Sequence, residues 1–248
     1  MIIVADVGNS RMKWGRCSHH QVDEVVHLPL LDEAAWQQQA TIWAAPLRTW
    51  ILSGSNPPRQ YALRSWLEAQ GEKVRVIDRY QQLPIEVAVE KPEQVGLDRL
   101  FDALAVVHRH TREKALPAIV IDAGSAVTVD LVDERGAFRG GAILPGLRLQ
   151  SQALHQYTAQ LPLVDLRRPF PPTPGTSTLT AIRSGIFASM VGGVQWLCQQ
   201  YRPIVAEEPK LFVTGGDAEL LLPALLGSAI HWPDMTLDGL RVTSLVPV

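Results

Sequence analysis

The chain predicts an α/β fold built twice, each half a mixed sheet flanked by helices. Two observations carry this expectation. A short pattern recurs at about half the chain length: Ile2-Ile3-Val4-Ala5-Asp6-Val7-Gly8-Asn9-Ser10 is matched by Ile119-Val120-Ile121-Asp122-Ala123-Gly124-Ser125-Ala126. Each copy is an apolar run ending in Asp-x-Gly and small polar residues. Each half then continues as a three-strand meander followed by alternating helical and extended segments, the pattern of a mixed sheet covered on both faces. Pro117 breaks the chain before the second copy, so the boundary is placed near residue 115, with domains of 1–114 and 115–248 facing each other across a cleft.

In the first half, strands are expected up to Ala5, over Met12–Cys17 and over Val22–Val26, with the Asp6–Ser10 turn between the first two. Residues 32–45 have helical composition, and Trp50–Ser53 is a short buried strand closed by Gly54-Ser55-Asn56-Pro57-Pro58. Tyr61–Gln70 reads as a helix with Leu63, Trp66 and Leu67 on one face and Gly71 as its stop. Val74–Ile77 is a strand. A loop containing Pro84 and Pro92 then enters a helix on which Leu100, Leu104 and Val107 keep helical spacing.

The second half expects strands over Ile119–Ile121, Val127–Val132 and Phe138–Leu144, the last interrupted by Gly140-Gly141, with a hairpin turn at Asp133–Gly136. Pro145-Gly146 opens a helix over Leu147–Tyr157, and the proline-rich stretch 162–175 is irregular. A long helix runs from about Leu179 to Tyr201 with Ile182, Ile186, Val194 and Leu197 as its stripe. Leu211–Thr214 is a strand, Gly215-Gly216 a turn and Asp217–Leu225 a helix. Leu240–Val246 reads as a last strand or an extended tail. The tryptophans share no spacing and belong to core or interface.

Composition bounds the function. At 248 residues with 46% apolar content, a sizeable core fits. The net charge of −2, with scattered Lys and Arg, offers no basic face for nucleic acid. No apolar run reaches the roughly 18 residues that span a bilayer, and the N-terminus lacks the basic region and cleavage site of a signal peptide. Two distant cysteines, Cys17 and Cys198, fit free thiols in a reducing cytoplasm. His19-His20 makes a poor metal pair, because adjacent side chains on a strand point apart.

Five constellations carry chemistry. Asp6, Gly8, Asn9, Ser10 and Lys13 combine a carboxylate for Mg2+, a turn whose backbone approaches an anion, hydrogen-bond donors, and a charge for a β- or γ-phosphate. The plain alternative is a hairpin turn with a capping aspartate. Asp122, Gly124, Ser125 and Thr128 repeat the arrangement, and the duplication argues for a nucleotide clamp. Gly215-Gly216-Asp217 is either an anion or adenine-ribose platform at a helix start, or a turn with Asp217 as N-cap. Gly96-Leu97-Asp98-Arg99 places Asp98 where a loop meets a helix. There it is either a cap or a general base for a substrate hydroxyl, with Arg99 binding an anion. Gly140-Gly141 through Pro145-Gly146 permits close approach of a ligand, or a tight sheet corner.

Taken together, in this order, these motifs resemble the type III pantothenate kinases, also known as Bvg accessory factor proteins, over nearly the full chain. Asp6–Ser10 with Lys13-Trp14 resembles the family's first phosphate motif, and Gly96–Arg99 its Gly-x-Asp-Arg substrate motif. Asp122–Thr128 is similar to its second phosphate motif, and Gly140–Gly146 to its Gly-Gly-x-Ile-x-Pro-Gly run. Thr178 and Ala181–Ile186 resemble the start of the long helix, Gly215–Asp217 the adenosine motif, and Leu237–Leu240 the C-terminal signature.

The resemblance implies an actin-like (ribonuclease H-like) fold shared with sugar kinases. It implies ATP-dependent phosphorylation of the terminal hydroxyl of pantothenate, a homodimer, Mg2+, and a monovalent cation, K+ or NH4+. It implies Asp98 as proton acceptor, and Val89, Gly96, Leu97, Asp98, Arg99 and Thr178 around pantothenate. ATP would meet Asp6, Val7, Gly8, Asn9, Ser10, Arg11, Met12, Lys13, Ser125, Gly215 and Gly216, with Mg2+ near Asp6, directly or through water, and the monovalent cation at Asp122. Two departures stand out: Val89 occupies a position that is often aromatic in the family, and Ser125 replaces the commoner Thr while keeping the hydroxyl. The rival readings are a sugar kinase of the same fold and a nucleotide-binding regulator with little turnover. Many acetamidosugar kinases carry a Cys/His zinc cluster that this chain lacks, and hexose phosphorylation without pantothenate phosphorylation distinguishes the first rival. ATP consumption with pantothenate and K+ separates the second.

Overall fold

The computed structural model describes residues 1–9, 12–110, 116–166, 173–225 and 228–245. The chain divides into two compact units, Met1–Lys114 with Asp234–Val248, and Ala115–Pro233.

Unit 1 contains β1 (Ile2–Val7), β2 (Met12–Cys17), β3 (Val22–Leu28), α1 (Glu33–Ile42), β4 (Thr49–Ser53), α2 (Pro57–Ala69), β5 (Lys73–Val76) and α3 (Leu97–His110). Unit 2 contains β6 (Ala118–Ala123), β7 (Ala126–Val132), β8 (Phe138–Pro145), α4 (Leu147–Gln156), α5 (Thr178–Tyr201), β9 (Lys210–Thr214), α6 (Ala218–Leu221) and β10 (Ala229–His231). The last helix, α7 (Met235–Val242), returns to unit 1.

The duplication read from the sequence is present in the strand order. Unit 1 has the order β3-β2-β1-β4-β5, and unit 2 has β8-β7-β6-β9-β10. In both, the three leading strands are antiparallel and the last two add in parallel. The meander needs only short turns, whereas each parallel addition needs a crossover, and α1 and α2 supply those crossovers in unit 1.

Period-two alternation decides what faces the core. In β1, Ile3, Ala5 and Val7 enter a cluster with Met12, Trp14, Trp36, Trp50 and Leu52. Trp14 and Trp50 meet edge to face, with ring centroids 4.7 Å apart. In β6, Ile119, Ile121 and Ala123 enter the corresponding cluster with Val127, Val129, Ile186, Met190 and Val213. Asp6 and Asp122 are out of phase with these residues and point to the opposite sheet face.

The structure corrects two element readings. The Asn56-Pro57-Pro58 stretch opens α2 instead of closing a loop. The Asn56 side chain accepts from the Arg59 N–H, and the prolines occupy the first turn, where no backbone donor is needed. Leu240–Val246 was expected as a strand or tail, but α7 covers Met235–Val242, and a single 3-10 turn follows it. The β-branched Val242 and Thr243 favour an extended reading, and packing overrides that preference. Met235, Leu237, Leu240 and Val242 are buried, and Arg241, only 1% exposed, donates to the Asp238 carboxylate and the His19 carbonyl. For the same reason residues 234–248 group with the first unit, whereas the sequence reading assigned them to the second domain.

Helix α7 approaches α3 so closely that a Cβ on Gly239 would run into the Phe101 carbonyl. Backbone is the obstacle, so neither partner can yield by a rotamer change. Gly239→Ala should cost about 2 kcal/mol, lowering Tm by roughly 4–8 °C in a calorimetric scan.

Candidate active site

Asp6 occupies the last turn-facing position of β1 on the face away from the tryptophan cluster. It pairs across the sheet with Lys13 of β2 and Ser53 of β4. Burial pushes its carboxyl up from 3.8 to about 6; Lys13 opposes that rise, and the nearby Asp98 carboxylate adds to it. The protein thus brings Asp6, Lys13 and Asp98 within electrostatic reach of one another.

Asp98 is an exposed side chain in the first turn of α3. Its Oδ1 accepts the Arg99 N–H at 2.9 Å. The carboxylate folds back over Gly96, where an added Cβ would stand 2.5 Å from Oδ1. Gly96 therefore makes room for this orientation of the acid two residues on. Leu97 and Arg99 are half-buried at the start of the same helix, and Val89 is half-buried in the segment between β5 and α3.

Gly8 and the exposed Asn9 form the turn after β1, while Ser10 and Arg11 lie outside the described residues. The Val7 and Met12 side chains are fully buried in the core cluster, so any contact they make with a ligand would come through their backbone. Four residues that the sequence reading treated only as a strand end and a closing turn brace this site. A Cβ on Gly54 would strike the Val7 carbonyl. Asn9 Nδ2 donates to Ser55 Oγ at 3.5 Å, and Asn56 Nδ2 donates to Asn9 Oδ1 at 3.3 Å. Buried Ser53 donates to the Ile77 carbonyl at 2.8 Å. The available signal was the duplication itself: Ser53-Gly54 closes β4 as Thr214-Gly215 closes β9.

In unit 2, Asp122 is paired in register with Thr128 of β7 and Thr214 of β9, as Asp6 is with Lys13 and Ser53. A Cβ on Gly215, which sits at φ +94°, would overlap the Asp122 carboxylate and the Ala123 carbonyl. The Ala123 carbonyl accepts the Asp217 N–H at 2.9 Å, which ties the glycine turn to the end of β6. Gly146 lies against the Gly124 and Ser125 carbonyls and donates its N–H to Ser125 O at 3.1 Å. Ser125 itself is exposed. Gly216 differs from its neighbours, since a methyl there would meet no atom within 4 Å. Packing therefore does not require a glycine at this position.

The Gly140-Gly141 pair serves the sheet. Gly140 sits at φ +91°, and a Cβ on Gly141 would collide with the buried Asp130 side chain and the Val129 carbonyl. Asp217 precedes α6 without a side-chain capping bond. Thr178 is the exposed first residue of α5, next to a capping box between Ser177 and Thr180. Cys17 and Cys198 are buried free thiols, pushed up to about 12 and about 11 by burial, so neither is a nucleophile near neutrality. Among the described residues, no cluster of three or more His, Cys, Asp or Glu side chains forms a metal site, and no helix is long and apolar enough to cross a membrane.

Solved structures with this architecture include ethanolamine utilization protein EutJ from Carboxydothermus hydrogenoformans. It is 12% identical, with a TM-score of 0.53 over 97% of this chain and 89% of that one. A candidate 2-dehydro-3-deoxygalactonokinase from Sinorhizobium meliloti aligns at TM-score 0.57 and 10% identity over 100% of both chains. These likenesses are of fold alone. They show the two-domain actin-like fold.

Within that class the sequence is specific. The family model for type III pantothenate kinase matches residues 2–200, and the chain belongs to that family. The type III pantothenate kinase of Synechococcus sp. (strain JA-3-3Ab) is 34% identical, covering 96% of this chain and 90% of its own. That of Alkalilimnicola ehrlichii is also 34% identical, covering 96% and 95%.

The raised Asp6 carboxyl has a consequence for stability. Below about 4 it is protonated in both folded and unfolded chains. Between about 4 and 6 the folded protein holds a proton that the unfolded chain has released, so stability falls as pH rises, and above 6 the full cost of the buried charge is present. Asp6→Asn should therefore raise the Tm of the metal-free protein at about pH 7.5, with the gain fading toward about pH 4; differential scanning fluorimetry across that range checks the sign.

Proposed function

We propose that this chain transfers the γ-phosphoryl group of ATP to the terminal hydroxyl of pantothenate, giving 4'-phosphopantothenate and ADP, the first step toward coenzyme A. Membership in the type III family supports this reading. The observation that carries it is the Gly96–Asp98 arrangement, in which an exposed carboxylate at a helix start lies over a glycine and close to the Asp6–Lys13 pair.

Asp98 orients the hydroxyl and takes its proton as the new O–P bond forms and the bond to the β-phosphate oxygen breaks. Gly96, Leu97, Arg99, Val89 and Thr178 hold pantothenate, with Arg99 as the planar cation. The phosphate-binding residues are Lys13, Gly8, Asn9, Ser10 and Arg11, with the Val7 and Met12 backbone. Ser125, Gly215 and Gly216 are further ATP-binding residues, and the open face of Gly216 fits a nucleotide base or ribose.

The residues also fit the expected cations. Asp6, a carboxylate raised by burial and by a second acid, is a group that a divalent ion stabilises in its charged form. Mg2+ there, directly or through water, would offset charge on the phosphates. For K+ or NH4+ the holding residue is Asp122. Its cross-strand neighbour Thr128 has a buried hydroxyl with no hydrogen-bond partner, which supplies a second oxygen on the same face. A homodimer is part of the proposal, supported by exposed Leu179 and Trp196 on α5 and Ile143 on β8. So is a cytoplasmic location, supported by the free thiols.

A coupled ADP-release assay with pantothenate, run with and without K+ or NH4+, tests the reading. Turnover that ignores pantothenate would overturn it. Asp98→Asn should keep the fold and lower kcat by about a hundredfold or more. Gly96→Ala provides an independent check. Its methyl displaces only the free end of a side chain, so Tm should hold while kcat falls by about tenfold or more through the misplaced acid.

A further inference from the structure

We infer that Thr236, on the C-terminal helix α7, is a positioning residue for Asp98, acting through the buried carboxylate of Asp102. The inference rests on the reading of Asp98 as proton acceptor. Asp102 lies one helical turn beyond Asp98, so both project from the same side of α3. It is 1% exposed, and its Oδ1 accepts the Thr236 hydroxyl at 2.7 Å. A buried carboxylate holds its donors in place strongly, because a hydrogen bond lost there is not replaced by water.

Helix α7 is itself anchored to the strands that carry Asp6 and Lys13. The Leu237 side chain reaches over Gly15 of β2, where an added Cβ would stand 3.4 Å from it. Arg241 donates to the His19 carbonyl at 2.7 Å, in the turn between β2 and β3. Arg75 of β5 donates to the Thr243 carbonyl at 3.1 Å, just beyond the helix. On the other side, Gly239 brings the α7 backbone directly against Phe101 of α3. The last helix thus stands between the sheet and the helix bearing Asp98, and the Thr236–Asp102 bond is its polar link to α3. Nothing in α7 needs to touch a substrate for it to set where Asp98 stands.

The test is a double-mutant cycle with ADP release as the readout, supported by Tm. Thr236→Val keeps the shape and removes the donor. It should lower kcat by about ten- to a hundredfold, the scale of a misplaced reacting group, while the KM for ATP stays within about twofold. Thr236→Ser, which restores the hydroxyl, should recover the rate. In an Asp98→Asn background, Thr236→Val should produce no further loss, because the residue it positions is already disabled. An equal loss in both backgrounds, or a serine variant as impaired as the valine one, overturns the inference. Wild-type turnover in Thr236→Val beside a disabled Asp98→Asn removes this inference alone, whereas wild-type turnover in Asp98→Asn removes the reading beneath it. Should the valine variant not fold, Thr236→Ala, which leaves a gap in place of a methyl group, goes through the same cycle with the same criteria.

Discussion

A carboxylate at the end of a central strand, turned away from the apolar cluster, is the constraint around which each unit is organised. Alternation along β1 and β6 commits one face to the helices and leaves Asp6 and Asp122 on the other. An acid in that position is half-buried and expensive in its charged form, as the raised Asp6 carboxyl shows. Neighbouring positions in the sheet are correspondingly polar or small: Lys13 and Ser53 beside Asp6, Thr128 and Thr214 beside Asp122. The glycines follow from the same constraint. Gly54 and Gly215 end the parallel neighbour of each acid-bearing strand, and side chains there would collide with the acid turn or the acid itself.

Much of this was legible in the sequence because it is written twice. Either Asp-x-Gly turn alone reads as an ordinary hairpin; the second copy, at half the chain length, is what argues for a site. The strands β1, β2, β4, β6, β7 and β9 were readable for the same reason, being apolar runs bounded by turn residues. The parts that were not legible depend on contacts distant in sequence. Leu240–Val246 looks extended by composition and is helical because α3 and the sheet bury it. Ser55 and Asn56 look like loop residues, and their role comes from Asn9, 46 and 47 positions away. Gly96 could be read as part of a substrate motif, and only the position of the Asp98 carboxylate shows what a side chain there would displace.

Glycine-rich motifs in this chain divide by what a methyl group would meet. At Gly141 and Gly146 the obstacle is the protein's own backbone, so these residues serve the sheet and the Ser125 turn whatever ligand is bound. Gly216 faces open space. The distinction matters for reading such motifs elsewhere, since a run of glycines can mix residues required for packing with residues left bare for a ligand, and residue identity alone does not separate them.

The return of the C-terminus to unit 1 ties fold to chemistry. The Asp98 helix is far in sequence from β1, and a helix joined to its sheet only by a long connection has freedom to shift. Burying α7 between them, with backbone contact at Gly239 and the Thr236–Asp102 hydrogen bond, replaces that freedom with contacts that resist small displacements. Phosphoryl transfer depends on positioning more than on covalent chemistry from the protein, so on the proposed reading of Asp98 these contacts would serve the reaction. Along the chain, Asp98 is exposed in a first helical turn, whereas Leu237, Gly239, Leu240 and Arg241 of the last helix are buried.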